Sequence, residues 1–321
     1  MIPYAWFEEA QKRIAPHIRV TPLEYDAARD IYLKWESQQV TGSFKVRGAL
    51  NKVLALQEWE RQCGLVAASA GNHGQGLALA GKLAGAAVTI FASEHAVPAK
   101  VAAMRSLGAT VELVPGGYGE AEQAGLAFAA HTQATWVSPY NNGLVIAGQG
   151  TLGLETLRQL PALSASTWVV PVGGGGLIAG IAAALHSSEA AARIGQTRLV
   201  AVQSQASPFF HAIYHRGSQA GVDELPSLAD GLAGPLEPDA LTIPIIRRLV
   251  DDFILVSEAQ IAEAIRFAWT QYQQRIEGSA AAALAAVLSG GVTSRPAVVI
   301  ISGGNIQPEI HAQIVKTEER T

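Results

Sequence analysis

Cysteine is almost missing from this chain: Cys63 stands alone among 321 residues, so neither an intrachain disulfide nor a cysteine-based zinc site can form. Charge is scarce too. Asp, Glu, Lys and Arg make up 16% against a usual ~25%. The net charge is −4, and no basic run or interleaved aromatic stripe gives the footprint of a nucleic-acid binder. No apolar run reaches the ~20 residues that span a bilayer; the densest, Ser279 to Gly290, is shorter and rich in alanine. Met1-Ile2-Pro3-Tyr4 leads straight into an amphipathic pattern holding Glu8 and Glu9, without the charged start and apolar centre of an export signal. There is no H-E-x-x-H motif, no G-x-S-x-G motif and no internal repeat. His211 and His215 stand four apart, but no acidic residue lies between Gln203 and Asp223 to complete a metal site. These absences predict a soluble, cytoplasmic protein with neither nucleic-acid nor membrane partners.

Small and apolar side chains are what the chain has in quantity. Apolar residues make up 49% and glycine accounts for 32 positions, enough for a large core and many tight turns. Trp6, Phe7, Ala10 and Ile14 mark one face of a first helix, stopped near Pro16. Ile31 to Trp35 alternates as a strand and Ala49 to Trp59 reads as a helix. From Leu65 the two types alternate strictly. Strands are predicted at Leu65 to Ser69, Ala87 to Ala92, Thr110 to Val114 and Thr135 to Ser138, with helices Gly74 to Ala84, Pro98 to Leu107 and Glu120 to His131 between them. A second series has strands at Thr167 to Val172, Arg198 to Gln203, Phe253 to Val256 and Ala297 to Ser302. Its helices run from Gly148 to Leu160, from Leu177 to Ser187, and from the capping box Ser257-Glu258-Ala259-Gln260 to Arg275. Arg216 to Asp239, polar and Pro-rich, reads as a long loop. The expected fold is α/β with two lobes, each a mostly parallel sheet flanked by helices. Residues 64–140 form a small lobe inserted in a larger one made of 1–63 and 141–321. The cleft between lobes is the expected ligand site.

Four turns carry the chemistry. In Thr41-Gly42-Ser43-Phe44-Lys45-Val46-Arg47-Gly48-Ala49, Ser43 as N-cap places Lys45 in a first helical turn. The partial positive charge there disfavours an ammonium and eases access to the neutral amine, the form that attacks a carbonyl. A surface lysine with its stem laid on apolar neighbours is the alternative. Gly173-Gly174-Gly175-Gly176, between a buried strand and a helix, offers unhindered amides to a phosphate. Gly174-x-Gly176-x-x-Ala179 also fits the dinucleotide fingerprint, but the next strand ends in Gln203 where an acid should hold the ribose. Gly148-x-Gly150-x-x-Gly153 is a second match, followed by a strand ending at Val172. Gly76 to Lys82 has Walker spacing with Leu83 in place of the magnesium-binding hydroxyl. A nicotinamide oxidoreductase is therefore the weaker alternative. Ser69-Ala70-Gly71-Asn72-His73-Gly74-Gln75-Gly76 is a third strand-to-helix turn, fit for a carboxylate. Ser302-Gly303-Gly304-Asn305 places one hydroxyl at the end of the last strand.

A reactive lysine, a phosphate cup, a carboxylate turn and a lone hydroxyl suit pyridoxal 5'-phosphate carrying an amino acid. The segments Glu36 to Ala49, Ser69 to Gln75, Val145-Ile146-Ala147-Gly148-Gln149-Gly150-Thr151, the tetraglycine and Ser302 to Asn305 follow in order along nearly the whole chain. Together they resemble the fold-type II pyridoxal-phosphate enzymes, in particular the threonine/serine dehydratase and serine racemase branch, and so imply a tryptophan-synthase-β-like fold. The resemblance implies that Lys45 holds the cofactor as a Schiff base, Phe44 packs beside its ring and Asn72 bonds the ring hydroxyl. Gly173, Gly174, Gly175, Gly176 and Leu177 would cradle the phosphate, and Ser302 would face the pyridine nitrogen. Ser69, Ala70, Gly71, Asn72 and His73 would surround the substrate carboxylate. A neutral hydroxyl at the ring nitrogen cannot force its protonation, which suits β-elimination better than transamination. The implied activity is conversion of L-threonine, L-serine or a related β-hydroxy amino acid to a 2-oxo acid and ammonia, in a homo-oligomer, for preference a dimer.

Several positions depart from that family's pattern. Ala70 stands where racemases carry a proton-shuttling serine, which disfavours racemisation and leaves Lys45 as the base at Cα. Gln203 replaces the carboxylate of a divalent-cation site, so no metal is expected. Asn141-Asn142 replaces an acidic pair, and no Lys or Arg between Gly116 and His131 awaits a second substrate carboxylate. The chain ends soon after its last helix, which predicts no appended regulatory domain. β-Replacement stays open as an alternative within the fold.

Overall fold

The computed structural model describes residues 2–160, 166–187 and 197–316. Its strands are β1 (Leu23–Asp26), β2 (Ile31–Trp35), β3 (Leu65–Ala68), β4 (Val88–Ser93), β5 (Thr110–Val114), β6 (Thr135–Trp136), β7 (Thr167–Pro171), β8 (Arg198–Ser204), β9 (Asp252–Val256) and β10 (Ala297–Ile301). The helices are α1 (Tyr4–Ile14), α2 (Lys45–Leu54), α3 (Glu58–Gln62), α4 (Asn72–Ala84), α5 (Pro98–Ser106), α6 (Tyr118–Thr132) and α7 (Gly143–Gln159). They continue with α8 (Gly176–Leu185), α9 (Phe209–Arg216), α10 (Thr242–Leu249), α11 (Glu258–Tyr272), α12 (Gly278–Leu288) and α13 (Pro308–Lys316).

Two sheets result, as the alternating pattern predicts. The larger has six strands in the order β1-β2-β10-β7-β8-β9, antiparallel only between β1 and β2. The smaller has four parallel strands in the order β5-β4-β3-β6. β7 and β10 are buried along their whole length, which explains why they read as unbroken apolar runs rather than alternating ones. In a parallel sheet all strand ends of one kind share an edge. The lysine segment after β2, the Ser302 turn after β10 and the tetraglycine after β7 therefore meet, because these three strands are neighbours.

The glycines inside helices serve packing. A Cβ on Gly150 of α7 would lie 2.4 Å from the Phe7 ring and 2.6 Å from the Gly180 carbonyl of α8. The Gly148-x-Gly150-x-x-Gly153 match is thus a seam that lets α7 approach α8, and the fingerprint there has no strand-to-helix turn behind it. Gly76 likewise admits the backbone of α2 at Lys45 and Val46. The apolar face of α2 (Val46, Ala49, Leu50 and Val53) shares one buried cluster with Leu65 of β3, Leu77 of α4 and Ile90 of β4. The lysine-bearing helix therefore packs against elements of the smaller sheet, although a strand of the larger one leads into it.

Beneath α2 lies a buried ionic network. Arg47 donates to both oxygens of Glu36, at 2.7 and 2.8 Å, and meets Glu155 at 3.0 Å. Lys34 reaches Glu155 at 2.6 Å and also donates to the Thr21 carbonyl and Gln159. Two cations and two carboxylates cancel, so the charges stay buried without a net cost of one sign. They fix β2, α2 and α7 to one another.

Candidate active site

The lysine segment is zipped to the Ser302 turn. Ser43 bridges Gly303, the Phe44 amide donates to the Ser302 carbonyl at 3.0 Å, and the Gly304 amide donates to the Gly42 carbonyl at 2.9 Å. Gly42 has φ +72°, a left-handed value, and Asn305 occupies the space a side chain there would need. The expected Ser43 N-cap is not formed. Phe44 takes the cap position without a side-chain bond, because the Ser43 backbone is committed to the bridge; its hydroxyl stays buried and unpartnered. Lys45 is the first residue of α2. Its Nζ donates to the Pro139 carbonyl at 3.1 Å and lies 5.4 Å from the centre of the Phe44 ring. Burial pushes its amine down to about 8, against an opposing pull from Glu277. Desolvation is thus the leading physical cause of the lowered value.

Glu277, just ahead of α12, is the site residue that sequence reasoning missed. It is 6% exposed, accepts from the Asn72 side chain at 2.7 Å, and its amide donates to the Gly303 carbonyl at 3.1 Å. Burial first, then the neighbouring Asp230 carboxylate, push its carboxyl up to about 7. Asn305 donates to the Asn72 carbonyl oxygen at 2.7 Å, so Asn72 is clamped on both sides, with one amide hydrogen left for another acceptor.

The tetraglycine and α8 form an open anion cup. Among the described residues, the amides of Gly173, Gly174, Gly175, Gly176 and Leu177 donate to no protein acceptor. Gly175 has φ +84°, and a Cβ on Gly174 would lie 2.4 Å from the Tyr140 ring. Five unsatisfied amides at a helix start are a donor set for a phosphate. With Lys45, Asn72 and Ser302 nearby on connected segments, the residues present fit pyridoxal phosphate.

The third turn is built by Ser69, whose hydroxyl accepts from the amides of Gly71 and Gly74 at 3.1 and 3.0 Å. The amides of Ala70, Asn72 and His73 find no protein acceptor among the described residues. His73 contributes its amide alone. Its ring bonds the Val137 carbonyl at 2.8 Å, and burial followed by the Lys45 charge push it down to about 3, so it is neutral. Lys100 of α5 lies beside Gly71 and pairs with Asp230 across the cleft at 2.8 Å. Asn142 caps α7, accepting from Leu144 and Val145, and Asn141 bonds Glu237 and Leu241; these are the loop contacts of the pair that departs from the family pattern. Gln203 is fully buried, and its oxygen accepts from the His211 amide at 3.1 Å. The His211 and His215 rings lie 4.3 Å apart, tilted by 53°. Among the described residues, no group of three or more His, Cys, Asp or Glu is placed to hold a metal.

The family model for pyridoxal-phosphate dependent enzymes matches residues 14–303. The chain belongs to that family. Pyridoxal phosphate is accordingly its cofactor. Over 322 residues it is 40% identical to the L-threonine ammonia-lyase of Thermotoga maritima, covering 98% of this chain and 78% of that one. Maize serine racemase superposes with a TM-score of 0.87 at 31% identity, covering 97% of this chain and 95% of that one. The processed form of threonine deaminase isoform 2 from Solanum lycopersicum gives 0.86 at 28% identity, with 97% and 92% covered. Likeness over the full length of both lobes accounts for the order of the motifs along the chain.

Proposed function

We propose that the chain is a pyridoxal-phosphate-dependent ammonia-lyase that converts L-threonine, L-serine or a related β-hydroxy amino acid to a 2-oxo acid and ammonia. The observation that carries this reading is Lys45, with its amine held near 8, on a segment zipped to the Ser302 turn. Lys45 would hold the cofactor covalently, the five amides from Gly173 to Leu177 its phosphate, Asn72 its ring hydroxyl and Ser302 its ring nitrogen. The bound cofactor supplies an electron sink for the charge left when Cα loses its proton. The free amides of Ala70, Asn72 and His73 bind the substrate carboxylate and orient Cα. Once the substrate amine has displaced it from the cofactor, the freed Lys45 Nζ would take the Cα proton as general base. The electron pair left behind would expel the β-hydroxyl, which leaves as water with the proton that Lys45 returns, and Lys45 would then retake the cofactor and release the product. The enamine released hydrolyses in solvent to the 2-oxo acid and ammonia. The exposed Ala70 side chain has no proton to exchange on the other face, which supports elimination over racemisation.

The reading includes a cytoplasmic location and a homo-oligomer, for preference a dimer. Supporting the first, Cys63 is unpaired and no helix among the described residues is long and apolar enough to cross a membrane. Light scattering of the purified protein tests the assembly. The activity is tested by supplying L-threonine and L-serine and measuring 2-oxo acid and ammonia, which should form in equal amounts. Inverted amino acid formed faster than 2-oxo acid would sink it.

A further inference from the structure

Beyond the C-terminal ends of β3 and β4, a cavity of about 380 Å³ opens beside the Ser69–Ala70 turn. Phe91 and Ala92 of β4, Ala96, and Tyr118 and Ala121 of α6 supply its apolar walls. The side-chain hydroxyls in reach are already engaged. Ser93 Oγ donates to the Gly116 carbonyl at 2.5 Å and accepts from the His95 amide at 3.1 Å. Ser69 Oγ accepts from two amides, and the Tyr118 hydroxyl bonds Glu122 at 3.2 Å. No lysine or arginine lines the cavity, and the one imidazole there, His95, is exposed and lies 3.8 Å from Glu94. Such walls repay an apolar guest and offer nothing to a second carboxylate.

Ser69 and Ala70 belong both to this wall and to the turn that faces the substrate carboxylate. A group held at the amides of this turn is therefore next to the opening. The space would hold about a dozen waters at ~30 Å³ each, far more than the methyl of threonine fills. We propose that this cavity receives the β-substituent of the substrate, so that the enzyme acts on β-hydroxy amino acids whose β-carbon carries an apolar group larger than methyl. The proposal rests on the lyase reading above.

The test compares kcat/KM of the cofactor-loaded protein for L-serine, L-threonine, β-hydroxynorvaline and β-phenylserine. Each added methylene that enters an apolar site is worth roughly fourfold, so the value should rise by about that factor from threonine to β-hydroxynorvaline. A fall beyond threonine overturns the proposal while leaving the lyase reading intact. No turnover of any member, serine included, overturns both. Ala121→Leu should lower the ratio of β-hydroxynorvaline to serine turnover at least tenfold; an unchanged ratio in a folded, cofactor-bound variant overturns the proposal. Calorimetry gives a readout without turnover: L-norvaline, which has no leaving group, should bind several-fold more tightly than L-alanine, and equal affinities contradict the assignment.

Discussion

The Asn72 side-chain amide donates to Glu277 Oε1 at 2.7 Å, tying the start of α4 to the residue ahead of α12. Glu277 thus links these two helices from a buried position, beside the Ser302 turn to which its amide is also bonded.

Its titration gives a prediction for stability. Burial and Asp230 hold the Glu277 carboxyl up at about 7, from an ordinary 4.5. Between those values the folded chain keeps a proton that the unfolded chain has lost, so stability is fully present below the lower one and falls as pH rises towards the upper. For the cofactor-free protein this contribution is about 3 kcal/mol across the window. Glu277→Gln keeps an acceptor for Asn72 and should flatten that part of the profile. Denaturant unfolding of both proteins at several pH values checks it; parallel profiles would contradict it.

Glu155 should be costly to remove. It pairs with both Lys34 and Arg47 in a buried setting, and truncating one partner leaves cations without compensation. Glu155→Ala should cost ~3–5 kcal/mol of folding stability, measured by urea unfolding. A loss below ~1 kcal/mol would mean that the network relaxes into water, as exposed pairs do.

Gly174→Ala should damage the phosphate cup. The added Cβ meets the Tyr140 ring at 2.4 Å, and Tyr140 is itself held by the Glu237 amide at 3.0 Å. Either the ring or the cup must shift. Affinity for pyridoxal phosphate should fall at least about tenfold, the loss of one charge-assisted hydrogen bond, as read by equilibrium dialysis. Unchanged affinity would remove these amides from the site.

Exhaustive chelation should leave turnover within about twofold of the untreated enzyme. Gln203 spends its oxygen on the His211 amide at the end of β8, and an amide side chain is a poorer ligand than a carboxylate for a hard divalent cation. Activity lost to a chelator and restored only by magnesium or calcium would place a cation site elsewhere in the fold.

Much of this site was legible in the sequence because glycine-rich strand-to-helix turns are local signals. The tetraglycine, the Ser69 turn and Ser302 each announce themselves within a few residues; strand order gathers the tetraglycine and Ser302 on one edge of the larger sheet, while the Ser69 turn comes from the smaller one. Glu277 left no such trace: it meets Asn72 across 205 positions, and nothing in Arg275-Ile276-Glu277-Gly278 marks a partner so far away. Ser43 fits the N-cap rule, but pairing with Gly303 outweighs the local preference. The Gly148 and Gly150 fingerprint misleads because close helix packing and phosphate binding both demand a missing Cβ. Burial of the Lys45 amine, a consequence of three-dimensional packing, outranks the helix end that local sequence points to.

The most direct test of the account is to locate the cofactor's attachment. With the amine near 8, about one Lys45 in ten is neutral at pH 7 and half at pH 8. The cofactor-free protein should therefore capture pyridoxal phosphate roughly fivefold faster at the higher pH. Borohydride reduction, proteolysis and mass spectrometry should then find the label on the peptide containing Lys45, with none in Lys45→Ala. Label on another lysine, or equal labelling of the variant, would contradict the central claim.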